Sequence, residues 1–96
     1  MGVREILQKK KTEILRIAEK HGVLQIRVFG SVARDEATEK SDVDFLVEVG
    51  PRHSAFFPGG LVADLEELLG RKVDVVEPAG IYPPLKEAIL REAVPL

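Results

Sequence analysis

Cysteine is absent from the 96 residues, which excludes disulfides, thiol nucleophiles and thiolate zinc sites and fits a reducing compartment. Charge of one sign is not in excess either. Fourteen Lys and Arg stand against sixteen Asp and Glu, for a net charge of -2 and a pI near 5.7. The surface therefore offers no general attraction to nucleic acid or to an anionic membrane, and direct nucleic-acid binding is disfavoured. No stretch approaches transmembrane length, and the opening residues Met1-Gly2-Val3-Arg4-Glu5 are charged rather than an apolar signal core. Ile6 stands where an N-myristoylation signal needs Ser or Thr. A cytoplasmic protein without membrane attachment is expected. Repeats, low-complexity tracts and linkers are also missing. The length suits a single domain over residues 1–96 and leaves no room for a separate substrate domain.

What is present reads as alternating helices and strands. Apolar residues at Val3, Ile6, Leu7, Ile14, Ile17 and Ala18 follow helical spacing up to His21, and Gly22 is placed to close that helix. Lys9-Lys10-Lys11 on it reads as a solvated face, and His21 as a helix-end residue. Leu24 to Phe29 alternates as a first strand and stops at Gly30. A short helix over Ser31 to Glu36 and a second strand over Asp42 to Val49 follow. Residues 50–60 hold Gly50, Pro51, Pro58, Gly59 and Gly60 and form a loop. His53 there lacks a companion at ligand spacing, while Phe56-Phe57 covers a core edge or meets a base or a partner. Leu61, Leu65 and Leu68 space a helix that Gly70 caps, Val73 to Val76 make a third strand, and Pro83-Pro84 lead a last helix with Leu85, Ala88 and Ile89 on one face. The order is αβαβαβα.

Acids are depleted in strands unless something demands them, so Asp42 and Asp44 at the start of the second strand stand out. Strand alternation turns both to one face and Val43, Phe45 and Val47 to the other, with the two acid positions roughly 6.6 Å apart. Two carboxylates so close repel unless a cation compensates, and an all-oxygen donor set points to Mg²⁺. If the second strand runs antiparallel to the first, Gly30-Ser31 lies beside these acids. If the third runs parallel to the second, Asp74 lies level with Asp44 and three acids converge. Gly30 lets backbone approach a ligand closely, Ser31 adds a hydroxyl, and the next helix aims amides at an anion. A phosphate turn beside paired carboxylates is the layout for phosphoryl or nucleotidyl transfer from a nucleoside triphosphate. Arg34 either reaches a phosphate or pairs with Asp35, Glu36 or Glu39.

Taken together, Gly30-Ser31-Val32-Ala33-Arg34, then Ser41-Asp42-Val43-Asp44-Phe45-Leu46-Val47, then Leu68-Leu69-Gly70-Arg71-Lys72-Val73-Asp74-Val75-Val76 resemble the minimal nucleotidyltransferases of the DNA polymerase β superfamily. The resemblance implies an α/β (α+β) nucleotidyltransferase fold with a three-stranded mixed sheet flanked by helices. It implies that Gly30 and Ser31 hold the triphosphate of ATP and that Asp42, Asp44 and Asp74 are the catalytic acids binding two Mg²⁺ ions; Arg34, from its place beside the turn, is counted with the nucleotide-binding residues. It further implies partnership with a small helical HEPN-type toxin, silenced by transfer of AMP from ATP to its tyrosine. The chain departs from the pattern at Asp35, where family members commonly carry glycine, and this adds negative charge near the expected triphosphate. Two other readings therefore stand beside the enzyme. One is a catalytically weak binding module that neutralises or scaffolds its partner by contact, and the other transfers a nucleotide to a small molecule such as an antibiotic.

Overall fold

The computed structural model describes residues 2–52 and 57–96. Two helices, α1 (Val3–Lys9) and α2 (Lys11–Lys20), lead into β1 (Val23–Phe29). A one-turn helix α3 (Gly30–Ala33) follows, then β2 (Val43–Val49), α4 (Gly59–Leu69), β3 (Val73–Val76), a 3-10 turn at Pro78–Gly80, α5 (Pro83–Glu92) and β4 (Val94–Pro95). The strands form one mixed sheet in the order β3-β2-β1-β4, with β2 antiparallel to β1 and parallel to β3. Among the described residues no helix is long and apolar enough to cross a membrane.

Alternation along the strands divides the sheet into two different faces. Val28, Val43, Phe45, Val47 and Val73 point to one, where they join Val3, Leu7, Ile14, Ala18, Leu61 and Leu65 in the main core. Phe45, Ile14, Leu61 and Leu65 have no exposed surface, so the helical spacing of α1, α2 and α4 is spent on this side. Phe29 and Leu46 point to the other face, where Ile81 covers them with help from Ile89 of α5 and from Ala93 just beyond it. That second layer is small. It leaves the end of this face, where β1 finishes and β2 and β3 begin, open to solvent chemistry.

Several expectations change, among them the short helix, which runs over Gly30–Ala33 rather than to Glu36. The single N-terminal helix is two, because Lys10 leaves helical geometry (φ -100°, ψ 12°). Its ammonium donates to the Leu68 carbonyl at 3.0 Å, one of the last carbonyls of α4 that has no partner within its own helix. Lys10 is thus half-buried, while Lys9 and Lys11 remain exposed as read. The sheet has four strands rather than three, since Val94 and Pro95 pair with Val28 and Arg27 on the free edge of β1. Two residues, one of them proline, carry no alternation to read, and only the edge they meet makes them a strand. On α5, Leu85 is 54% exposed and Ala88 is exposed too, so of the anticipated apolar face only Ile89 packs. His21 does cap α2, but it is buried, with Nε2 2.7 Å from Asp64 Oδ2 on α4. Gly22 and Gly70 close α2 and α4 at positive φ as the spacing suggested. Phe57 packs on the main core, while His53 and Phe56 lie outside the described residues.

Candidate active site

Strand register assembles the site. Phe29 pairs with Asp44 across β1 and β2, and Asp44 pairs with Asp74 across β2 and β3. Asp44 and Asp74 thus stand level on the face of the second layer, as the spacing required. Asp42 lies one residue before β2, half-buried, rather than inside the strand. The approach to this point is fixed from below: the Val43 amide donates to the Lys72 carbonyl at 3.0 Å, the Val73 amide to Glu66 Oε2 at 3.0 Å, and Arg71 Nη1 to the Ser41 carbonyl at 3.4 Å. Glu66 and Arg71 therefore hold the entries of both acid-bearing strands, a role no local pattern announces.

Gly30 follows Phe29 with φ +72°, and a Cβ placed on it would stand 2.3 Å from Asp44 Oδ2. The positive φ favours glycine through backbone sterics, and a Cβ there would also push the Asp44 carboxylate from its place. The turn and the carboxylate are therefore built against each other. Ser31 comes next in α3, half-buried. Past α3 the chain closes with the Asp35 amide donating to the Val32 carbonyl (3.2 Å) and the Glu36 amide to the Ser31 carbonyl (2.8 Å). That pair of bonds is a Schellman cap, whose closing residue is left-handed and usually glycine. Asp35 takes it at φ 60°, so a glycine at this position serves the backbone, and aspartate is among the residues that tolerate the conformation best.

Electrostatics mark the acids as crowded. Burial pushes the Asp44 carboxyl up to about 6, with the adjacent Asp74 charge, a hydrogen bond shared with Asp74, and Asp42 adding to it, and Arg34 partly opposing. This is the behaviour of carboxylates gathered without a compensating cation. Among the described residues no three His, Asp or Glu side chains stand where together they could hold a metal ion. The chemistry of the Asp44 and Asp74 pair nevertheless suits a hard divalent ion: two level carboxylates whose mutual repulsion such an ion would relieve.

Arg34 is exposed and engaged on two sides, donating Nε to Glu36 Oε2 at 3.0 Å and Nη1 to Glu92 Oε1. These bonds, Glu36 first, raise its pKa above the ordinary arginine value. Of the partners considered from sequence, Glu36 is the one found. Glu92 was not foreseen. It closes α5, and its other oxygen accepts from the Gly30 amide at 3.2 Å. Sixty-two residues separate it from Gly30, and nothing near it in the sequence signals the contact.

The structure thus brings the Gly30 turn, the level pair Asp44 and Asp74 and the nearby strand entry at Asp42 to one end of the sheet. A profile of the nucleotidyltransferase domain matches residues 7–96, and the chain belongs to that family of enzymes. It is 46% identical over 94 residues, 98% of this chain and 97% of the relative, to a Methanocaldococcus jannaschii protein provisionally named a protein adenylyltransferase. A solved structure provisionally described as a minimal nucleotidyltransferase superposes with a TM-score of 0.85 at 43% identity, covering 100% of this chain and 97% of the other. A toxin–antitoxin crystal structure with AMP-PNP shares the fold at a TM-score of 0.73 and 18% identity, over 88% of this chain and 70% of that one.

Proposed function

We propose that the protein transfers AMP from ATP to a tyrosine hydroxyl of a small helical HEPN-type toxin and so acts as its antitoxin. The observation that carries this reading is the register that sets Asp44 level with Asp74 beside the Gly30 turn. The names borne by the relatives lend it support: a protein adenylyltransferase at 46% identity and a toxin–antitoxin complex of the same fold. The acceptor oxygen attacks the α-phosphorus of ATP, the bond from that phosphorus to the bridging oxygen of the β-phosphate breaks, and pyrophosphate leaves. Asp74, exposed at the open edge of the sheet, faces the acceptor and takes up the hydroxyl proton. Gly30 and Ser31 hold the triphosphate through backbone and hydroxyl donors, and Arg34 offsets its charge. Asp42, Asp44 and Asp74 would hold two Mg²⁺ ions, which would supply positive charge to offset the negative charge of the triphosphate and of the leaving pyrophosphate. Residues Arg71 and Glu66 keep the strand entries, and with them the acids, in place.

The test is transfer of label from α-labelled ATP, with Mg²⁺, to a small helical HEPN-type protein sought among the products of the neighbouring genes, followed by mass mapping of the modified residue. Asp42→Ala and Asp44→Ala are each expected to reduce transfer by about 100-fold or more, the scale for groups that act only on the reacting charges. Label absent from the partner, or carboxylate variants as active as the parent, overturns the reading. Suppression of the partner that persists in those variants, with the complex intact, would instead favour neutralisation by contact.

A further inference from the structure

One carboxylate joins the two anion donors of the nucleotide turn. Glu92 accepts the Gly30 amide on Oε2 and the Arg34 guanidinium on Oε1, and its side chain is only 22% exposed. An exposed Arg–Glu pair alone is worth little. Here the same anion also takes a backbone amide of the turn that is packed against Asp44, so two donors separated by one turn of chain converge on a single two-oxygen group. Donors that converge on a carboxylate are aimed to converge on a phosphate as well. The Glu92 backbone is held from both sides, by α5 before it and by the pairing of Val94 and Pro95 with β1 after it, which leaves the side chain as the part free to swing.

We propose that Glu92 is a resident anion on the phosphate cradle: it keeps the Gly30 amide and Arg34 aligned while no nucleotide is bound, is displaced by the triphosphate, and thereby sets nucleotide affinity. This rests on the nucleotide-binding reading above. It predicts that removing the charge strengthens binding, the reverse of what a supporting contact would give.

The experiment is calorimetric titration of Mg·ATP into the parent protein and into Glu92→Gln and Glu92→Ala, without any partner protein, with thermal melts confirming that each variant is folded. Both variants are expected to bind about fivefold tighter or more, the scale of one charge-assisted contact no longer competing. Binding by the parent with equal or weaker binding by the folded variants overturns the role of Glu92 alone. No binding by parent or variants overturns the nucleotide reading and this inference together. A measurement on the parent needs no variant: Mg·ATP must move the Glu92 side-chain carboxyl ¹³C resonance, and an unmoved resonance in a saturated sample overturns displacement.

Discussion

Single residues at this site answer to backbone geometry as much as to charge. Gly30 is fixed by its positive φ and by the 2.3 Å that a Cβ would leave to Asp44, while Asp35 carries a left-handed φ that glycine would meet without strain. Since the side chain at 35 is exposed, Asp35→Gly should relieve strain without opening a hole. The expected gain is about 0.5–1 kcal/mol, part of the left-handed penalty being cancelled by the freer unfolded chain. Urea denaturation of the two proteins checks this, and a variant less stable than the parent would mean that the Asp35 side chain makes a local bond worth more than the strain. The sequence departure at this position was legible as a change in charge. Its backbone meaning was not, because a cap is recognised by which amide meets which carbonyl.

At the scale of elements, helical spacing located the helices but misjudged how much of α5 is buried. Leu65 on α4 has no exposed surface, whereas Leu85 on α5 is 54% exposed, though both occupy apolar positions of a repeating pattern. Leu65→Ala should therefore cost about 2–5 kcal/mol through lost burial and a cavity. Leu85→Ala should stay within about 0.5 kcal/mol. Paired denaturation curves decide between them, and similar losses at the two sites would mean that the face of α5 is covered in solution. The difference arises because α4 lies on the sheet face that already holds α1 and α2, while α5 has only the small Phe29, Leu46 and Ile81 cluster to cover. The Lys10 break belongs to the same scale: a helix was legible, but the Leu68 carbonyl that draws Lys10 inward is 58 residues away.

For the whole molecule, the consequence is a knot of like charge. The acids come from separate segments, and the fold gathers them at one end of the sheet before any cation is considered. Unfolded, Asp44 loses its proton near the ordinary value of 3.8; folded, it holds it to about 6. The native state thus binds the extra proton between those values, and in a metal-free buffer this group makes stability fall as pH rises through the window. Asp44→Asn removes the effect. It should match the parent below about pH 4 and exceed it above pH 6 by about 1 kcal/mol, the two-unit shift being discounted for a half-exposed group. Denaturation at stepped pH with a chelator present measures this, and parallel curves for the two proteins would count against crowding of the acids.

By itself the sequence determined three of the four strands, the orientation of Asp44 away from the core, the use of glycine at position 30 and the family to which these belong, because each follows from a local period or a short motif. Given the strand directions it also anticipated the level of Asp44 with Asp74, since register then follows from counting residues. Tertiary structure alone decided the fourth strand, the burial of His21 against Asp64, the hold of Glu66 and Arg71 on the strand entries, and the reach of Glu92 to Gly30 and Arg34. The physical reason is common to most of them: a hydrogen bond between distant segments leaves no periodicity in either, and it exists only once the packed sheet has brought both ends within about 3 Å.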